Sequence, residues 1–293
     1  MFAFMAVGFF LYRKKFVTSE GTRSMGNVLL YIVVPSIIIK SLNIPYSHDV
    51  MVKLMISFAA GIFSMVISIF IARIFFRKDT IAHFSTAFFN SGYLGLPLVE
   101  YVLGKDAVLY CAALVFLIGF LQWTYGVYVI TQDKKSISFK KILFNPTLIG
   151  LTLGLIIFFV PFKLPELISE GVNVMAAMNA PLAMIILGAY LAQADFKHIF
   201  TDLQSYKVSM VRLLVSPLVT LLLLTLLPSS MNIVRMASLI CVSTAVGANA
   251  PILAQLFDKD YVSASGYVSI TTILAIATMP VVIFLAGILW KMG

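Results

Sequence analysis

The sequence predicts an all-α membrane protein: ten transmembrane helices in two inverted five-helix repeats, with Pro-broken crossover helices 4 and 9. Three observations carry that fold class. The first is composition: 61% of the 293 residues are hydrophobic and 11% are charged, against about 25% charged in a soluble domain. The second is a pair of apolar segments interrupted by Gly, Asn and Pro at matching places. The third is the placement of Lys and Arg along short polar connections.

A spanning helix needs about 20 apolar residues, so the chain holds at most about ten or eleven, with little left for a soluble domain. The long unbroken apolar runs exclude a β-barrel, whose strands alternate apolar and polar residues. Spans are read at 1–12, 25–42, 52–76, 82–103, 107–130, 145–161, 172–193, 208–228, 234–257 and 262–290. The first reaches about 18 Å at 1.5 Å per residue, short of a core about 30 Å thick. The expectation is that a few residues precede it. A signal peptide does not fit, because Arg13-Lys14-Lys15 follow the apolar stretch instead of preceding it.

A net charge of +9 in a soluble chain would raise nucleic acid as a partner. Here the basic residues lie between spans, where they set orientation by the positive-inside rule, and no nucleic-acid partner is expected. With the N-terminus outside, fifteen of the 21 Lys and Arg fall inside. Both termini are therefore read as outside, in the plasma (inner) membrane, and residues 134–144 as a cytoplasmic loop. Five spans per half is an odd number, so the second half inserts upside down. Residues 1–133 form the first repeat and 145–293 the second. Asn27-Val28 precede Pro35 as Asn173-Val174 precede Pro181, an offset of 146, and the broken segments are offset by 154.

The broken segments are Asn90-Ser91-Gly92-Tyr93-Leu94-Gly95-Leu96-Pro97 and Val246-Gly247-Ala248-Asn249-Ala250-Pro251. Their exits also match: Gly104-Lys105-Asp106-Ala107-Val108 and Asp258-Lys259-Asp260-Tyr261-Val262. Proline has no N–H and clashes with the preceding turn, and Gly92 and Gly95 admit backbone angles that other residues avoid. Unpaired backbone at membrane depth must be buried in protein or line a wet cavity. A helix resuming after Pro97 or Pro251 would present free N–H groups and partial positive charge to an anion. Matched interruptions in two halves are the mark of a secondary transporter with its site between them. The plain alternative is a pair of kinks, as expected at Pro35, Pro181, Pro217 and Pro280.

Asn90 and Asn249 are the polar side chains nearest the breaks. Each offers two donors and an acceptor, either for a carboxylate or for capping the freed helix ends. Thr244 stands where the first half has Asn90. Ser91, Ser243 and Gln255 read as helix-to-helix hydrogen bonders. Glu100, the acidic residue placed within a span, is either a proton-coupling group or hydrated near a helix end. Arg212, Lys40 and Arg73 read as snorkelling to the interface. Gln122, Trp123, Tyr125 and Tyr128 read as an interfacial belt, and Gly150 and Gly154 as a close helix contact. Cys111 and Cys241 read as buried small hydrophobes. With His48, His83 and His198 scattered, no metal site or cofactor is expected.

Asn90-x-x-x-x-Gly95-x-Pro97, the Pro251 break and Asn145-Pro146 at the start of the second half resemble the auxin efflux carrier family, in its bacterial branch. The resemblance implies a scaffold of spans 1, 2, 6 and 7 and a mobile domain of spans 3–5 and 8–10. It implies an elevator-like mechanism and a homodimer. It also implies a carboxylate contact at Asn90 and, less directly, a role for Asn145, with Gly95 and Pro97 shaping the crossover. The long cytoplasmic loop of plant members is reduced here to residues 131–144, so small organic anions such as malate or malonate are expected rather than auxin. The alternative is a proton- or cation-coupled symporter or exporter of another small amphipathic acid, driven by H+ or Na+. An enzyme is disfavoured, since the chain has no metal-ligand spacing, nucleophile elbow or phosphate loop. A channel would lack a repeated filter.

Overall fold

A computed structural model describes residues 2–44, 46–137, 144, 146–160, 164–193 and 201–291. In chain order the first helices are α1 (Phe2–Arg13), α2 (Ser19–Leu42), α3 (His48–Phe75), α4 (Thr80–Ala87), α5 (Leu96–Leu103) and α6 (Lys105–Thr131). Then come α7 (Pro146–Phe159), α8 (Glu166–Gln193), α9 (Leu203–Leu224), α10 (Ser229–Val242), α11 (Asn249–Leu256) and α12 (Tyr261–Leu289). The described residues contain no strand, only one isolated antiparallel bridge between Phe89 and Val246. The protein is all-helical. Six of the described helices are long and apolar enough to cross a membrane: α2, α3, α6, α8, α9 and α12. The remaining expected spans fall on shorter pieces. Span 1–12 lies on α1 and 145–161 on α7, while 82–103 and 234–257 each hold two helices with non-helical chain between them.

Residue size sorts the two faces of α3. On α3, the small residues Ser57, Ala60, Gly61, Ser64 and Ser68 are buried, while Phe63, Val66, Phe70 and Ile74 are exposed. That spacing puts small residues on one helix face, where neighbouring backbones approach, and large apolar ones on the face left for lipid. The Ser64 hydroxyl donates to Ala60 O at 2.7 Å, so its burial leaves no orphan donor.

Proline leaves a repeated signature. A five-residue π turn stands immediately before the helical segment carrying Pro35, before that carrying Pro97 and before that carrying Pro217: Leu29–Val33, Ser91–Gly95 and Val211–Val215. The wider turn moves the carbonyl that the pyrrolidine ring would strike and closes the ladder with i→i−5 bonds. Pro97 therefore does not itself break its span, and the expectation that the helix resumes after it is corrected. The non-helical chain is Phe88–Asn90, with Phe88 extended (φ −109°, ψ 121°).

Two helix crossings are set by glycine. A Cβ on Gly188 would lie 1.9 Å from Met5 O, and one on Gly8 would lie 2.1 Å from Ile185 O, so α1 and α8 touch backbone to backbone. A Cβ on Gly150 would lie 2.7 Å from Pro35 Cα, and one on Gly154 would lie 2.6 Å from Leu42 Cδ1, so α7 and α2 cross in the same manner. The close contact expected of Gly150 and Gly154 is thus made within the chain.

Candidate functional site

The two interruptions meet. Gly247 N donates to Phe88 O and Asn90 N to Ala245 O, each at 3.0 Å, on either side of the Phe89–Val246 bridge. Val246 N donates to Thr271 Oγ1 at 3.1 Å. Backbone groups left unpaired by two broken helices are satisfied by each other and by one α12 hydroxyl, among buried residues.

Asn90 opens the first resumed helix. Its carbonyl accepts from Leu94 N at 3.0 Å and Gly95 N at 3.1 Å, and its Oδ1 accepts from Tyr93 N at 3.4 Å. This is the capping role. It leaves Nδ2 buried with no partner, and the neighbouring Ser91 hydroxyl is in the same state. A Cβ added at Gly92 would meet no atom within 4 Å, so open space adjoins the break.

Asn249 opens α11 and donates from Nδ2 to Gln122 Oε1 at 3.1 Å. Gln122 is 4% exposed, at the start of a π turn in α6. Phe84 and Phe88 press on Gly126 at the other end of that turn, where a Cβ would lie 2.6 Å from Phe84 Cε2. Gln122 is therefore not part of an interfacial belt. The reading from the sequence is corrected because packing of α6 on the first break turns the amide inward. Thr244 is buried, and its hydroxyl donates to Cys241 O at 2.7 Å; Ser243 does the same to Leu239 O. Gln255 is exposed.

The glycines behave differently from the expectation. Neither Gly92 nor Gly95 has a positive φ. Gly95 serves by size, since a Cβ there would lie 3.2 Å from Cys241 Sγ. The left-handed residues are in the exits: Gly104 at φ 89° and Asp258 at φ 53°. Pro97 is buried at the second residue of α5, and Pro251 is half-buried at the third residue of α11, so the second helix also begins before its proline and the expectation that it resumes after Pro251 is corrected too. Glu100 is half-buried in the last turn of α5, and among the described residues no cation pairs with it. Asn145 lies outside the described residues. Cys111 and Cys241 are buried and free, as expected of small hydrophobes.

Sequence reasoning missed Arg212. It does not snorkel: it is fully buried, ten residues into α9. Its Nη1 donates to Thr86 O at 3.0 Å and its Nη2 to Val242 O, while the guanidinium lies 4.7 Å from the centre of the Phe89 ring. Arg235, the second residue of the span read at 234–257, is likewise buried, donating to Asn232 Oδ1 and Thr225 O beside Trp290.

The family model described as "Membrane transport protein" matches residues 1–140 and 135–283. This chain belongs to the auxin efflux carrier family of membrane transport proteins. A member of a transporter family is not an enzyme, as its motifs had indicated. A protein of Rhizobium meliloti (strain 1021) named "Putative malonate transporter" is 24% identical to this carrier over 231 residues, covering 74% of this chain and 72% of that one.

Proposed function

We propose that this carrier moves small organic anions of the malonate and malate type across the plasma membrane, binding the carboxylate where its two broken helices meet. The observation that carries the reading is the Asn90 amide: buried, 3% exposed, with Nδ2 unpartnered at the N-terminal end of a resumed helix. A buried donor without a partner costs about 1–3 kcal/mol, and a carboxylate relieves that while meeting the helix's partial positive charge. The Asn249–Gln122 pair supplies a second set of amide groups next to the same backbone pairing. The family and the printed name of the Rhizobium relative agree with an organic anion.

The architecture proposed is ten spans in two inverted repeats. Adding 146 to Gly8 gives Gly154, and subtracting it from Gly188 gives Leu42. The α1–α8 crossing thus has its counterpart in the α7–α2 crossing. With the offset of 154, left-handed Gly104 corresponds to left-handed Asp258. Spans 1, 2, 6 and 7, locked by those glycine contacts, make the scaffold. Spans 3–5 and 8–10 carry the paired breaks past it as an elevator, in a homodimer with both termini outside.

Purified protein in liposomes should take up labelled malonate saturably and exchange it against unlabelled anion; a panel of dicarboxylates and monocarboxylates that all fail would overturn the reading. Gly92→Leu is expected to fold normally, since open space receives the side chain, and to reduce uptake about ten-fold by filling the room beside Asn90. Normal uptake by that variant would place the anion elsewhere. Coupling to protons through Glu100 has its own check. Glu100→Gln should abolish the response of uptake to a pH gradient, and an unaltered response would remove Glu100 from the mechanism.

A further inference from the structure

Arg212 sits where a charge is costly. It is ten residues into a 22-residue span and fully buried. Buried cations in membranes are matched by an opposite charge or by backbone carbonyls, and among the described residues no salt bridge reaches Arg212. Its partners are backbone carbonyls, one from each broken helix. Thr86 O belongs to the last turn of α4 and Val242 O to the last residue of α10.

Those are the carbonyl ends of two helix dipoles, each carrying about half a negative charge. Two such ends brought together at one place, backed by an aromatic face, constitute a cation site. Carbonyl oxygens and ring faces are what a dehydrated small cation seeks. The Thr86 hydroxyl, buried and unpartnered, is a further oxygen on the same residue. The guanidinium already fills the place, with two N–H groups on the two carbonyls and its central carbon 4.7 Å from the centre of the Phe89 ring.

We propose that Arg212 is a built-in cation. It occupies the site that the paired carbonyl ends would otherwise offer to sodium or potassium, so the junction of the broken helices needs no inorganic cation to stay closed. Arg212 is a positioning residue, acting through the backbone it holds. This proposal stands on the Arg212 contacts and does not depend on which solute is carried.

The test is thermal unfolding of the detergent-purified protein in choline, sodium, potassium or methylguanidinium chloride at constant ionic strength. Wild type should melt at the same temperature in all four. Arg212→Met should melt about 5 °C or more lower in choline. It should recover part of that loss, saturably and at millimolar concentration, with sodium or methylguanidinium. A general packing role predicts the loss without the recovery. Arg212→Lys keeps the charge and should fold and remain indifferent to sodium, which keeps the question answerable if Arg212→Met does not fold. The proposal is overturned by a saturable sodium stabilisation of wild type, by an unchanged Arg212→Met, by a loss that no small cation recovers, or by an Arg212→Lys protein that does not fold. Because the readout is melting and not uptake, its failure is distinct from failure of the anion-carrier reading.

Discussion

Asn90→Ser is expected to leave the protein folded and to lower anion uptake about ten-fold or more. The substitution separates two roles that one side chain holds in the structure. As a cap, Asn90 accepts from Tyr93 N at 3.4 Å. Serine caps about as well as asparagine, so the melting temperature should stay within about 2 °C of wild type. As a ligand, Asn90 offers the unpartnered Nδ2 donor, and serine cannot supply an amide at that reach. A hydrogen bond to a charged group contributes about 1.5–3 kcal/mol, and 1.4 kcal/mol is a factor of ten in affinity. Asn90→Asp should lose uptake as well. It keeps the capping oxygen but sets a carboxylate against an anion. If Asn90→Ser transports as well as wild type, Asn90 is only a cap, and the anion is held elsewhere.

Asn90 could be found in the sequence because its signals are local. Asn before Gly and Pro inside an apolar run announces a cap, and the offset of 154 announces a counterpart. The matched exits were legible for the same reason. Gly104 and Asp258 are each of a type that tolerates left-handed backbone, and each adopts it. Helices long enough to span could be read from composition and length alone.

What the sequence concealed depends on partners far along the chain. The non-helical stretch Phe88–Asn90 carries no proline or glycine of its own. It is extended because Phe88 and Asn90 pair with Gly247 and Ala245. Pro97 drew attention to the right segment but marks only the π turn, as Pro35 and Pro217 do elsewhere. Arg212 sits in Val211-Arg212-Leu213-Leu214, a context in which any single arginine reads as snorkelling. Its carbonyl partners lie 126 and 30 positions away. Gln122 was set aside with its aromatic neighbours for the same reason, its partner Asn249 being 127 positions distant. In each case the residue type was visible and the direction of the side chain was not.

The second large effect is expected in the proposed scaffold, and it bears on the inverted repeat. Gly188→Ala should lower the melting temperature by about 6 °C or more, because the added Cβ would lie 1.9 Å from Met5 O. Backbone cannot rotate away, so α1 and α8 must separate, at a cost of about 3 kcal/mol or more. The α7–α2 crossing, its counterpart in the proposed repeat, should respond differently. A Cβ on Gly154 meets the end of the Leu42 side chain at 2.6 Å, and a flexible leucine can shift. Gly154→Ala should therefore cost less, about 2–3 °C, and cost less still in a Leu42→Ala background, where Cδ1 and Cγ are gone and only Leu42 Cβ, at 3.2 Å, remains. Residues in contact that share one space show such coupling, typically about 0.5–3 kcal/mol. The same cycle with Met5→Ala should leave the Gly188→Ala loss in place, since a carbonyl oxygen remains whatever the side chain. An elevator needs one part that stays still while another slides. If Gly188→Ala melted with wild type, α1 and α8 could part freely, and these two helices could not serve as the fixed wall against which the paired breaks move.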